Sequence, residues 1–124
     1  MRDFRQLGVW QKAHELALLI YTQTAQFPQQ ERVGLGATMR RAAIAIPMNI
    51  AEGCGQSDRI EFGKCTRNAI GLTSELEYLV LLARDLNLIE STLHERAYDS
   101  IAEVRKMLTG LSKSVSQQVL RAEG

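Results

Sequence analysis

The sequence predicts an all-α protein, an antiparallel up-down four-helix bundle, on three observations. Apolar residues recur at steps of three and four along four separate segments. No segment alternates with period two, so strands are not expected. Connectors between the segments are short, and only Pro28 and Pro47 punctuate the 124 residues, as suits neighbouring helices that fold back on one another. That length fits a single domain spanning residues 1–124.

The first helix is expected at roughly 8–25, where Trp10, Ala13, Ala17, Ile20 and Thr24 share a face. Phe27-Pro28-Gln29-Gln30 stops it. The second, roughly 36–52, carries Met39, Ala42, Ala43, Ile46 and Ile50. Pro47 lies inside it and has no N–H for the Ala43 carbonyl, so a kink is expected near Ile46. Gly53-Cys54-Gly55-Gln56-Ser57 reads as a glycine-rich turn.

The third helix, roughly 58–87, carries the firmest pattern. Phe62, Cys65, Ala69, Leu72, Leu76, Leu79, Ala83 and Leu86 alternate steps of three and four, the heptad seam of a bundle helix. Asp58 and Glu61 form a capping-box signature at its start, and Asn87 marks its exit. The fourth, roughly 92–116, opens on a second such signature, Thr92 with Glu95. Its seam is Ala97, Ile101, Val104, Leu108, Leu111 and Val115, and past Ser116 the polar chain is expected to fray.

Composition narrows the function classes. Hydrophobic residues make up 45% and charged residues 23%, with fifteen basic against fourteen acidic side chains and a net charge of +1. Such a chain is not disordered by composition, and bulk electrostatic attraction to polyanions is not its business. The longest early apolar run, Leu16 to Tyr21, is far short of the ~18 residues of a membrane span. No signal-peptide pattern opens the chain, and Cys54 and Cys65 are too few for a secreted disulfide framework. A cytoplasmic protein with reduced thiols is the expectation.

Three segments carry more apolar surface than one core uses. Leu16 to Tyr21, Ala42 to Ile46 and Tyr78 to Ala83 are apolar around the whole helix, whereas a bundle helix needs only about three of every seven positions. Leaving the far sides wet would create patches larger than monomers tolerate. The expectation is a second buried surface, most simply a contact between identical subunits, with Leu18, Leu19, Ile44, Val80, Leu81 and Leu82 as its candidates. Singly exposed leucines are the alternative. Beside the third seam, Gly63, Arg67, Gly71, Ser74 and Tyr78 form a stripe of largely small residues that would admit a neighbouring helix or be mere drift.

No reaction is written in the motifs. Neither His14 nor His94 follows a glutamate at the Glu-x-x-His spacing of di-iron bundles, and neither starts a zincin motif. The cysteines and histidines lack zinc-site spacing, and there is no phosphate loop or nucleophile elbow. Glu75 and Glu77, two apart, point to different sides of a helix. No catalytic residue, metal ligand or cofactor site is therefore assigned. Arg59, Lys64 and Arg67 are candidate anion contacts, although Glu52, Asp58 and Glu61 interleave with them as on an ordinary mixed-charge surface. Trp10 and Tyr21 could stack bases or, as aromatics on an apolar face more often do, fill the core.

One run is specific. Phe27-Pro28-x-x-Glu31-x-x-Gly34-Leu35 is followed by Arg40-Arg41-Ala42-Ala43-x-x-Ile46-Pro47-x-Asn49-Ile50-Ala51-Glu52-Gly53. Together with Leu7-x-Val9-Trp10, Glu61-Phe62, Ala69-x-Gly71 and Ser74-Glu75-x-Glu77, it resembles the bacterial four-helix bundle proteins first noticed in 23S ribosomal RNA intervening sequences and labelled S23 ribosomal proteins. The resemblance spans roughly residues 4 to 111. It implies a cytoplasmic bundle that assembles into a ring-like homopentamer and has no established enzymatic activity. A relative, the accessory variability determinant of diversity-generating retroelements, binds reverse transcriptase and nucleic acid through a strongly basic surface. This chain, at net +1, departs from that pattern.

The matched residues have structural readings of their own. Pro47 would kink its helix, and Asn49 and Glu52 would satisfy the backbone groups so freed or bind an anion. Gly53 would end the helix in a left-handed conformation. Arg40 and Arg41 would pair with Glu75 or Glu77 on the next helix or contact another subunit.

Overall fold

A computed structural model describes residues 3–123. One 3-10 turn, Phe4–Gln6, precedes five helices: α1 (Gly8–Thr24), α2 (Gln29–Val33), α3 (Leu35–Cys54), α4 (Arg59–Asp85) and α5 (Ser91–Glu123). No strand occurs among the described residues. The four long helices make the all-α bundle that the apolar periodicity predicts.

Local chemistry sets each boundary. Asp3 caps the first turn by accepting from the Arg5 N–H at 3.0 Å, and the Arg5 side chain also bonds its carboxylate. Those bonds hold the Asp3 carboxyl below its ordinary pKa. The expected stop after α1 holds, but Pro28 also starts the short α2, whose first positions need no backbone donor. Asp58 caps α4, its Oδ1 accepting from the Ile60 N–H at 2.8 Å. The reciprocal half of the expected capping box is absent, because Glu61 turns to Lys64 instead, 3.1 Å away. At the far end of α4, Asn87 sits at φ 60°. Its N–H bonds the Arg84 carbonyl, and the Leu88 N–H bonds the Ala83 carbonyl, a Schellman cap with asparagine in the left-handed position. Ser91 already belongs to α5, so Thr92 lies inside the helix rather than at its cap.

Two boundaries correct the sequence reading. Helix α5 continues to Glu123 instead of fraying past Ser116, because Val115 is buried and Val119 packs against the core one turn later. Helix α3 runs on through Gly53 to Cys54, and among the described glycines none has a positive φ. Gly53 is there for closeness: a β-carbon would stand 2.9 Å from Phe62 Cδ1 and 3.0 Å from Cys65 Cβ on α4. Pro47 is buried within α3 without ending it.

Packing closes a ring of neighbours, α1 on α3, α3 on α4, α4 on α5 and α5 on α1. Contacts along neighbours run in opposite order. Lys12 pairs with Glu103 at 3.7 Å, while Gln23, further along α1, reaches back to the Leu93 carbonyl at 3.1 Å. Likewise Gly63 lies near Val115, and Thr73 accepts from Arg105 at 3.1 Å. Inside the ring, Leu16, Ile20, Met39, Ile46, Leu76, Ile101 and Leu108 are fully buried.

The α4 seam is offset from its expected line. Phe62, Cys65, Ala69, Leu76 and Ala83 are buried as expected, but Thr66, Thr73 and Val80 are buried with them, whereas Leu72 and Leu79 are only half-buried. On an α-helix a residue four along stands about 40° from its reference and one three along about 60°, so the former lies nearer the core line. Leucine hydropathy hides this, because the buried threonines look polar. Their hydroxyls are satisfied on their own helix, by the Phe62 carbonyl at 2.9 Å and the Ile70 carbonyl at 2.6 Å. Leu86, the end of the expected seam, is exposed.

Candidate functional site

With one side of each helix spent on the core, the surplus apolar residues concentrate on two surfaces. The first is a groove of about 450 Å³ between α1 and α3. Ala17, Pro47 and Ala51 form its floor, and Trp10, Leu18, Tyr21, Ile44 and Met48 rise around it. Leu18 is 55% exposed and Met48 62%. The groove is built by helical spacing, since Trp10, His14, Leu18 and Tyr21 recur one turn apart on α1 and Ile44, Met48 and Ala51 on α3.

Aromatic packing fixes one end. Phe4 tilts onto Trp10 with centroids 4.9 Å apart, and Trp10 stacks on His14 at 5.0 Å with rings within 7° of parallel. Arg40 fixes the other. Its guanidinium donates to Thr24 Oγ1 at 3.1 Å and to the Arg32 carbonyl at 3.0 Å, and lies 5.7 Å from the Tyr21 ring centre. One side chain thus joins α1, α2 and α3.

The second surface lies between α4 and α5, opposite the first in the ring order. Tyr78, Leu81, His94 and Tyr98 line a shallow depression of about 400 Å³ with Ser74 and Glu77. Tyr78 is 61% exposed and Tyr98 45%. Below it, Arg105 pairs with Glu77 and with the buried Thr73, which fixes the register of α4 against α5.

The structure sorts the sequence candidates. Leu18, Ile44 and Leu81 line the two surfaces. Leu19 packs against the core and Leu82 is half-buried. Val80 is a correction: at 1% exposure it belongs to the core, in the offset seam described above. Met48, His94 and Tyr98 were missed, although Met48 lies one turn past Ile44 and Tyr98 one turn past His94, a spacing visible in the sequence.

Neither Arg40 nor Arg41 pairs with Glu75 or Glu77. Arg40 is committed to α1 and α2, Arg41 donates to Thr38 at 3.2 Å, and Glu77 is taken by Arg105. Asn49 bonds the Ala45 carbonyl at 2.8 Å, not the Ala43 carbonyl that Pro47 leaves without its N–H. Glu52 is exposed. Of the anion candidates, Lys64 is paired with Glu61 at 3.1 Å, whereas Arg59 and Arg67 are exposed and form no ion pair among the described residues.

Both cysteines are buried, and no disulfide joins them. Burial pushes the Cys65 thiol above its ordinary pKa, and the carboxylates of Glu52 and Glu61 push it further. That is the reverse of an activated nucleophile. Among the described residues no group of three His, Cys, Asp or Glu side chains could hold a metal ion, and no helix is long and apolar enough to cross a membrane.

Comparison with known proteins agrees with the geometry. The fold is similar to the crystal structure of a protein of unknown function from the S23 ribosomal protein family of Bacteroides thetaiotaomicron VPI-5482. The two share a TM-score of 0.78 and 22% identity over 85% of this chain and 95% of that one. No curated protein matches the sequence. The family model described as 23S rRNA-intervening sequence protein matches residues 5–110, which take in α1 to α4, the first part of α5 and the Arg40 to Gly53 run, and the chain therefore belongs to that family.

Proposed function

We propose that this protein is a non-enzymatic, self-associating helical bundle that serves in the cytoplasm as an oligomeric scaffold or adaptor. The observation that carries the reading is the pair of exposed apolar surfaces, the α1/α3 groove and the α4/α5 depression, on a bundle whose core is already complete. Covering them needs no further folding, only another molecule. The family resemblance supplies the number, five copies in a ring. Sedimentation equilibrium or light scattering at micromolar concentration tests it: a discrete oligomer is expected, and a stable monomer overturns the reading.

A second reading is an accessory protein that binds RNA, or a reverse transcriptase and its nucleic acid, through arginines. Arg59 and Arg67 favour it, as exposed cations outside any ion pair of the described residues. Filter binding at low salt, where counterion release is most favourable, tests this reading. Absence of binding there removes it.

A further inference from the structure

Going beyond self-association, we propose that the α1/α3 groove binds a long-chain carboxylate. The alkyl chain lies along the groove, and the carboxylate is held at the Arg40/Arg41 end.

The distribution of charge argues for this occupant. No charged residue occurs from Leu16 to Gln30, on α1 and the turn after it, or from Ala42 to Ala51 on α3. Apart from the His14 ring, the lining of the groove is therefore apolar or aromatic. Charge returns at one end. Arg40 and Arg41 precede Ile44 by four and three residues, so on α3 both continue its row beyond the groove's last apolar wall. Neither forms an ion pair among the described residues. Arg40 donates to two uncharged acceptors, Thr24 Oγ1 and the Arg32 carbonyl, and Arg41 donates to Thr38 Oγ1. A guanidinium carries five N–H donors, so both arginines keep donors to spare. On α2, Glu31 and Arg32 balance one another and leave this end cationic. A carboxylate is the natural complement, because it meets the guanidinium fork with two parallel hydrogen bonds.

The opposite end sets the direction of the chain. There Phe4 tilts onto Trp10, and Trp10 stacks on His14, so the groove closes on aromatic rings. The nearby cations are occupied, Arg5 by Asp3 and Lys12 by Glu15 and Glu103. Glu52, next to Ala51, is exposed and forms no ion pair among the described residues. An anionic head is repelled at that end and attracted at the other. From Trp10 to Tyr21 the helix rises about 16 Å, the reach of an extended dodecyl chain. The groove volume, about 450 Å³, falls within the range of about 300–1,000 Å³ common to small-molecule sites.

Trp10 is the only tryptophan of the chain, and it stands in the wall of the groove, so its emission reports on occupancy. Dodecanoate, titrated at submicellar concentration into the protein in its native state of assembly, should shift that emission to the blue and saturate at one per chain. Dodecyltrimethylammonium has the same tail and the opposite head, and it should bind at least about tenfold more weakly. Met48→Glu sets a carboxylate in the wall and should weaken dodecanoate binding by about tenfold or more. Met48 is 62% exposed, so circular dichroism of this variant should match the parent. Arg41→Glu tests the head site without disturbing Arg40, which joins three helices. It should narrow the preference for the anionic head by about tenfold. Equal affinity for the two heads, a preference that Arg41→Glu leaves unmoved, or binding that survives Met48→Glu each overturns the proposal. Sedimentation of the same samples separates this outcome from self-association. A monomer that binds dodecanoate keeps the site and loses the scaffold. An assembly whose Trp10 emission does not respond, because a second copy or another protein covers the groove, keeps the scaffold and loses the site.

Discussion

Gly53 offers a sharp test of how closely α3 and α4 approach. Replacing a helical glycine by alanine recovers about 1 kcal/mol of propensity. In α5, Gly110 is exposed with nothing within 4 Å of an added methyl, so Gly110→Ala should show that gain undiminished. At Gly53 the same methyl would stand 2.9 Å from Phe62 Cδ1 and 3.0 Å from Cys65 Cβ. Carbon atoms prefer about 3.5–4.0 Å, so the two helices must part by roughly half an ångström or more. Overpacking of this kind costs about 1–3 kcal/mol. Propensity cancels between the two variants, and the difference between them isolates the steric cost. Gly110→Ala should be stabilised by about 1 kcal/mol, while Gly53→Ala should be unchanged or destabilised by up to about 2 kcal/mol. Urea unfolding at one fixed protein concentration measures both, with m unchanged so that the midpoint reports stability. A Phe62→Leu background opens space beside the methyl, and Gly53→Ala should cost less there. Equal stabilisation of the two single variants would refute the close approach.

Three further outcomes follow from particular contacts. Asn87 holds a left-handed backbone at φ 60°, so Asn87→Ala should lose about 1 kcal/mol and Asn87→Gly should not, as thermal or urea unfolding will show. Gln23 is buried with its Oε1 unpartnered while its Nε2 bonds the Leu93 carbonyl. Gln23→Leu should therefore cost less than about 1 kcal/mol, whereas Gln23→Glu, which buries a charge in the same place, should lose at least about 2 kcal/mol near neutral pH. Because the raised pKa keeps the Cys65 thiol neutral, alkylation of the native protein should be slow until the pH exceeds the ordinary thiol range. The stability linked to this group is intact below that range and falls as pH rises through the raised value. Glu52→Gln should move the onset of alkylation to lower pH.

The fold was legible in the sequence because helical spacing of apolar residues is a strong signal over segments this long. Phe62, Ala69, Leu76 and Ala83, and the whole α5 seam through Leu108, are buried as their spacing predicts. What escaped was decided by space or by self-contained hydrogen bonds. Thr66 and Thr73 look polar, yet each satisfies its hydroxyl on its own helix and enters the core. Gly53 resembles a helix terminator and is instead a point of close packing, a distinction that depends on Phe62 and Cys65 across the gap. The apolar surplus of Leu18, Ile44 and Leu81 could be read, but its division into two opposed surfaces required the order in which the helices pack. Met48 and Tyr98 show how a surface is completed by residues that are unremarkable on their own.

Proline at position 47 has a bearing on recognition. Set into the floor of the α1/α3 groove between Ala17 and Ala51, it contributes a ring and no N–H. Ala17 and Ala51 beside it bring only methyl groups. Such a floor cannot sort guests by their donors and acceptors. It chooses by contour, admitting whatever side chain matches its relief and rejecting anything that must bring its own water inside.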